Sequence, residues 1–477
     1  MPVILEFPFG ITVDFSFWTT ILGWPTNELM KAVFAMAGWA VLIIVFFYMG
    51  AELWISYRQS KFTKSWKWTL LAIDIPPNEI QSPKAVEQIF AHLSGAHVSP
   101  NVGEKYWNGV KQKWFSLEII SIEGYIQFLV YTESQFRDLV EAAIYAQYPM
   151  AEITEVEDYV NNIPSKYPND EYEAYGLEFG LENEEAYPIR TYPEFEHSVT
   201  KDFMFNDPIA SVLENFTRIS SGENFWFQII LEPFGDKWKE KGIALVKKII
   251  AQKKPEPKNN FLSLILSIPL AILGEFWEHI SSSAPADPKD KKKEKEPPAG
   301  KISDLSPGVK NAVAAVEEKI AKVGFRTKLR ILYAARKEVF NPSKCVKGFV
   351  GSLNQFNYSG RNALIPKSAT EAYYAFKTYR TNDLKVRFVS AFKKRKLKVG
   401  KTPYVLNIEE LATLWHFPLP LVKTPLLQKA SVKRAEPPIN LPTETFESPL
   451  RLKRGGEEAK KAEIPTEPAP PEELPYG

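Results

Sequence analysis

The longest uninterrupted apolar run stands near the N-terminus, where AVFAMAGWAVLIIVFFYMGA fills the interval between Lys31 and Glu52 without a charge. At about 1.5 Å rise per residue, a helix of that length covers a hydrocarbon core of about 30 Å. The pattern predicts a transmembrane helix over 31–57, centred on Ala32 to Ala51, with Trp54 and Tyr57 at the headgroup level. A signal peptide fits less well, because no basic n-region precedes the run and no small-residue cleavage pattern follows it. A buried core helix is the other alternative, although such helices seldom carry apolar runs beyond about 14 residues. Arg58, Lys61, Lys64 and Lys67 follow the run, whereas Asp14, Glu28 and Lys31 precede it. The positive-inside rule therefore places residues 1–30 outside and the following body in the cytoplasm, a single pass through the inner membrane. That first segment contains ILEFPFGITVDFSFWTTILGW and is apolar enough to lie on the outer membrane surface or against a partner.

Beyond the helix the periodicity changes. WKWTLLAIDIP alternates as a strand, and SPKAVEQIFAHLSG opens a helix with Ser82 as cap and Pro83 in its first turn, stopping at Gly95. WFSLEIISIEGYIQFLVYT reads as two strands turned at Glu123-Gly124. In SQFRDLVEAAIYAQYP the residues Phe136, Leu139, Val140, Ala143 and Ile144 share one helical face, and AEITEVEDYV closes as a strand. The order β-α-β-β-α-β predicts a ferredoxin-like α+β domain over 63–160.

Over 171–254 a similar but fainter pattern predicts a second α+β unit, a degenerate duplicate of the first. Its strands are AYGLEFGLE and FWFQIILEPF, and Asp207-Pro208 repeats the cap-then-proline start. Residues 261–280 hold a shorter apolar stretch, Phe261 to Trp277, broken by Pro269 and Glu275, which suits an interfacial or core helix better than a second crossing. The charged segment 281–301 is expected to be a flexible linker and 437–477, rich in Pro, Glu and Lys, a disordered tail. Between them, 302–425 predicts a third, basic α+β domain.

Charge divides the chain despite a net of only +2. Residues 151–197 carry 13 acidic side chains against Lys166 and Arg190, and residues 301–434 carry 27 basic against 8 acidic. This predicts an acidic and a basic surface with different partners. Within the basic region Lys393, Lys394, Arg395, Lys396, Lys398 and Lys401 crowd into ten residues and are candidates for contact with phosphate or an acidic partner, nucleic acid included. The competing reading is a solvated helix face. Tyr373, Tyr374, Phe376, Tyr379, Phe388 and Phe392 are interleaved with these charges; base stacking is one role for them, but their spacing fits core positions better.

Catalytic signatures are missing from the sequence. Gly400-Lys401-Thr402 ends like a P-loop, but Arg395 occupies the first glycine position and Pro403 interrupts the helix that should follow. His92 and His97 do not share a helical face, and Cys345, the only cysteine, excludes a disulfide and reads as a packed thiol. No catalytic residue, metal site or cofactor is expected, so the chain reads as a non-enzyme.

One motif stands out. Asn407, Glu409, Glu410, Leu411, Ala412, Leu414, His416, Phe417 and Pro418 spell LN-x-EELA-x-L-x-HFP, in which Asn407 and Glu410 also form a capping box. The phrase resembles the segment just before the motor domain in HerA-like and type IV secretion or conjugation ATPases of candidate-phyla bacteria. There, too, a membrane anchor and ferredoxin-like units come first, in the order seen here over roughly 30–425. The motor itself, with its P-loop and acidic Walker B strand, is missing from the sequence. The resemblance implies a non-catalytic membrane component of a DNA- or protein-translocation machine, working with a separate HerA-like ATPase. A membrane-tethered nucleic-acid-binding protein and a homo-oligomeric envelope scaffold are the alternatives.

Overall fold

The structure is a computed structural model that describes residues 4–7, 11–14, 25–197, 204–205, 207–250 and 306–419. The expected apolar helix at 261–280, linker at 281–301 and tail at 437–477 lie outside the described residues, as does most of 1–30. The described residues form two compact units, one comprising 4–7, 11–14, 25–66 and 99–111 and the other 67–98, 112–197, 204–205, 207–250 and 306–419.

In the first unit, strands β1 (Ile4–Phe7) and β2 (Ile11–Asp14) pair antiparallel. Helix α1 (Thr26–Thr63) runs a turn and a half past the boundary expected from apolarity, because Arg58 and Lys61 are good helix formers once the apolar run ends. Within it, Val41–Thr63 is long and apolar enough to cross a membrane, and none of it is buried. The segment 99–111 packs on the same helix. Trp54 Nε1 donates to the Tyr106 carbonyl at 2.9 Å, and the Trp107 ring stands edge-on to Trp54 at 6.1 Å. Gly109, at φ +69°, permits the close approach, since a Cβ there would lie 2.4 Å from the Arg58 carbonyl carbon. Replacing Ile43 and Phe46 together by arginine puts two charges into the apolar run expected to span a bilayer, where each costs up to about 2.5–3.5 kcal/mol. The variant is expected to leave carbonate-washed membranes that retain the unaltered protein, as read by immunoblot.

The second unit is built on one antiparallel sheet. In chain order its elements are β3 (Trp68–Asp74), α2 (Pro83–Leu93), β4 (Phe115–Ile122), β5 (Tyr125–Glu133), α3 (Arg137–Tyr145), β6 (Glu152–Val156) and β7 (Tyr172–Leu181). The short β8 (Glu196–His197) and β9 (Met204–Phe205) pair with each other, before α4 (Pro208–Thr217), β10 (Glu223–Pro233) and α5 (Lys237–Ile250). After residue 305 come α6 (Pro307–Ala321), β11 (Gly324–Arg336), α7 (Val346–Leu353), β12 (Leu364–Ala369), α8 (Lys377–Lys393), β13 (Tyr404–Asn407) and α9 (Ile408–Leu414). The strand order is β12-β7-β11-β10-β4-β5-β3-β6, with β13 added beside β11. Glu123 and Gly124 both take positive φ at the β4–β5 turn, as the hairpin signal requires.

The sheet has two halves with one connectivity. In the first, β3, α2, β4, β5, α3 and β6 give a spatial order of second, third, first and fourth strand; in the second, β7, α4, β10, β11, α7 and β12 give the same order. The halves meet where β4 pairs with β10 from Phe115↔Leu231 to Ile122↔Asn224. The division into domains 171–254 and 302–425 does not survive in this sheet, because β10 pairs with β11 over eleven positions, Glu223↔Ala335 to Pro233↔Phe325. Strand pairing is set by hydrogen bonds between segments that periodicity alone cannot connect. Helices α5 and α6 occupy the connection and pack through Leu245, Val246, Val313 and Val316, with Gly242 leaving room for Ile320.

One face of the sheet buries the main core beneath α2, α3, α4, α7 and α9, with Phe225, Phe227, Phe349 and Trp415 in its interior. The opposite face is also covered. Leu70, Ile120, Leu129, Trp226 and Leu332 pack there against Tyr159, Ile163 and the α8 residues Val389 and Phe392. With both faces buried, a charged residue at any central position must find a partner inside.

Candidate functional site

The basic run does not form one surface. Lys394, Lys396, Lys398 and Lys401 are exposed, Lys393 is half-buried, and Arg395 is fully buried. Lys393 Nζ donates to the Ile163 carbonyl and to Ser165 Oγ, the latter at 2.8 Å. Arg395, expected to contact phosphate, instead reaches beneath α8 and forks onto two carboxylates. Its Nε and Nη2 lie 3.0 and 3.1 Å from the Glu118 oxygens, its Nη2 lies 2.9 Å from Asp158 Oδ1, and its guanidinium stacks 4.1 Å from the Tyr131 ring centre. A planar five-donor group suits such paired carboxylates better than the surrounding lysines would.

Glu118 belongs to a row that crosses four strands. Register places Glu118 opposite Gln228, Gln228 opposite Arg330 and Arg330 opposite Glu178. Ser116, Tyr159 and Gln228 also donate to the Glu118 carboxylate at 2.7, 2.8 and 3.0 Å. Burial pushes this carboxyl up, but the Arg395 charge and the hydrogen bonds outweigh it and hold it below the ordinary glutamate value. At the other end of the row Lys328 Nζ lies 2.9 Å from Glu178, and Lys328 and Arg330 both donate to the Val399 carbonyl. Burial lowers the Arg330 guanidinium to about 10 despite Glu178. Three cations, Lys328, Arg330 and Arg395, thus face three carboxylates, Glu118, Asp158 and Glu178. Together they pin the loop 391–402 that displays the exposed lysines.

The same row disposes of the P-loop fragment. Gly400 takes φ +96° and its neighbour Lys401 donates its backbone N–H to Glu178 Oε1 at 2.9 Å, so an internal carboxylate occupies the position a phosphate would need. Acidic and basic segments, expected to seek different partners, are in part each other's. Asp158–Arg395, Glu173–Lys385, Glu178–Lys328 and Glu194–Arg361 all join 151–197 to 301–434.

The motif at Tyr404–Pro418 is packed throughout. The Asn407 side chain accepts from the Glu410 N–H at 2.8 Å and Glu410 Oε2 accepts from the Asn407 N–H at 2.9 Å, the reciprocal cap that the sequence implies. Glu410 also lies 3.0 Å from Lys319 Nζ, both fully buried, and accepts from the Ile189 N–H. Glu409 pairs with Lys322, which holds Glu87 as well. Leu411, Ala412, Leu414 and Phe417 join the main core, and Pro418 is half-buried. His416 bridges the Ala412 carbonyl and Asp207, each at 2.8 Å.

Asp207 caps α4 through the Ile209 N–H and accepts from Leu419 as well. Burial pushes its carboxyl up; the His416 charge and the hydrogen bonds more than reverse this, leaving it below the ordinary aspartate value. A depressed carboxyl stabilises the fold above its unfolded pKa, and that stability is lost as pH falls through the folded pKa. Asp207→Asn should therefore cost about 1–3 kcal/mol at neutral pH and flatten the acid limb, as read by denaturant melts taken down through about pH 4.

Several other side chains are accounted for. Cys345 is buried and its thiol is pushed up to about 12, chiefly by burial, consistent with a packed thiol. His92 and His97 are exposed. Among the described residues no group of three or more His, Cys, Asp or Glu is placed to hold a metal ion. Four of the six aromatics expected as core are instead in solvent: Tyr373, Tyr374, Phe376 and Tyr379, which precede or open α8. The family described as Domain of unknown function (DUF8128) matches residues 76–429. The chain belongs to the DUF8128 family. The DUF8128 match takes in both halves of the sheet from α2 onward, the buried polar row and the 404–418 motif, while α1 precedes it. No curated protein matches the sequence.

The buried row was not found from the sequence. Its signal lies in FSLEIISI, where Glu118 is the one charge of the strand, and in GFRTKLRILYAA, where Arg326, Lys328 and Arg330 bring charge into a long strand.

Proposed function

We propose that this DUF8128 protein is a non-catalytic, membrane-anchored component of a translocation machine of the type IV secretion or conjugation kind, acting with a separate P-loop ATPase. In this reading α1 crosses the cytoplasmic membrane with the N-terminus outside, as the charges at Arg58, Lys61, Lys64 and Lys67 favour. Both halves of the sheet are ferredoxin-like units that present a rigid body to the cytoplasm. The supporting observation is the placement of the Tyr404–Pro418 segment. It closes the sheet beside β11, locks into the core, and leaves at Leu419 under the hold of Asp207. In the ATPases that this segment resembles, the motor follows at that point; here a motor supplied in trans would dock near it.

The test is purification of the full-length protein from its native membranes, followed by mass spectrometry of what accompanies it. Enrichment of a P-loop ATPase is expected. Recovery of the protein with copies of itself alone would favour an envelope scaffold and sink the proposal.

A further inference from the structure

We propose that the head and outer face of α8 bind single-stranded nucleic acid, with bases stacked on the exposed rings and the phosphate backbone running along a basic stripe. Tyr373, Tyr374, Phe376 and Tyr379 are 77%, 64%, 79% and 77% exposed, in a stretch of eight consecutive exposed residues, YYAFKTYR. Folding leaves large rings in water only at a cost, and clusters of them mark binding surfaces. Phe376 also takes φ +59°, a left-handed conformation that is strained for a bulky residue and that turns the chain into α8 with its ring outward. Arg380 already lies over the Tyr374 ring at 4.8 Å, so that face accepts a flat, delocalised group.

Around the rings the charge is mostly positive, although the Tyr373 hydroxyl donates to Glu371 at 2.6 Å. From Lys377 to Lys401 Asp383 is the single acidic residue, and it pairs with Arg387. Arg380, Arg387 and Lys394 recur every seven residues, which on a helix sets them on one face about 10 Å apart. All three are exposed, as is Lys396 in the loop that the buried carboxylates hold in place. The stripe and rings together extend over roughly 25 Å, the length of α8. Aromatic faces combined with a basic track are what a sequence-tolerant single-strand site requires. An anionic membrane would also attract the charges, but surface-inserting segments carry leucine, tryptophan or phenylalanine on a continuous apolar face. This patch has three tyrosines, one phenylalanine and no aliphatic side chain larger than Ala375.

The inference does not depend on the ATPase proposal, although it would make nucleic acid the cargo if both hold. The experiment uses the full-length protein in nanodiscs of zwitterionic lipid and a fluorescent oligothymidylate of about 20 nucleotides, longer than the usual 4–16-nucleotide footprint. Anisotropy should show binding that weakens with salt, with no ATPase present. Replacing Tyr374, Phe376 and Tyr379 together by alanine should weaken it at least about tenfold, while Tyr374→Trp should retain it. Arg387→Ala should lower the salt dependence by about 0.7 in its log–log slope. Because these side chains are exposed, thermal melting should be unchanged in all three variants. No binding at low salt, or binding indifferent to loss of the rings, overturns the proposal. So does loss in the ring variant of binding to anionic vesicles but not to the oligonucleotide, which would assign the patch to lipid. Enrichment of an ATPase that persists in the ring variant separates failure here from failure of the translocation reading.

Discussion

Replacing Arg395 by methionine is expected to destabilise the soluble body by about 3–5 kcal/mol, the usual cost of leaving a buried charge without its partner. Glu118 has no exposure and depends on this guanidinium for its two charge-assisted hydrogen bonds. The double variant Glu118→Gln with Arg395→Met should recover much of the loss, because removing both charges removes the desolvation problem. Chemical denaturation followed by tryptophan fluorescence reads both. The pH dependence should change sign. With Arg395 present, the depressed Glu118 carboxyl stabilises the fold near neutrality, and this contribution is lost as pH falls through its folded pKa. In the single variant burial, the largest influence on this carboxyl, is opposed only by the Ser116, Tyr159 and Gln228 hydrogen bonds and raises it, so stability should improve as pH falls and be lost as pH rises through the raised value. A loss below about 1 kcal/mol in Arg395→Met would show that the row is not buried as described.

Glu410→Ala is the second large effect, also about 3–5 kcal/mol. The substitution removes the reciprocal half of the cap and the acceptor of the Ile189 N–H, and it leaves Lys319 charged in the interior. Asn407→Ala is the comparison. It loses the cap on the Glu410 N–H and a long 3.5 Å bond from Nδ2 to the Lys319 carbonyl, so about 1 kcal/mol is expected. If the two variants lose similar stability, the Lys319 pair contributes little and the motif matters for something other than packing. If they separate as expected, the motif serves chiefly to lock β13 and α9 into the core. Any partner would then contact what surrounds the motif, since its own side chains are occupied.

Local chemistry was legible in the residues. The capping box at Asn407 and Glu410, the Asp207 cap, the Glu123-Gly124 turn, the apolar helix and the strand-helix order of 63–160 all depend on neighbours within a few positions. Periodicity and propensity report such neighbours directly. Strand β12, too short and too polar to stand out as Leu-Ile-Pro-Lys-Ser-Ala, was not legible, because pairing with β7 rather than composition makes it a strand. Arg395 shows the same limit from the other side: as one of six cations in ten residues it has no mark that separates it from Lys394 and Lys396.

The sequence by itself determined most of the helices and strands, that a membrane-length helix precedes the body, and how the charge is distributed along the chain. The tertiary structure alone decided that strands on either side of residues 251–305 pair directly, making one sheet of two like halves. It also decided which charges are spent inside the fold and which face water. Both decisions rest on contacts between residues far apart in the chain, such as Arg395 with Glu118 and β10 with β11. Their free energy comes from burial and from register across strands, and neither quantity exists until the whole sheet has formed.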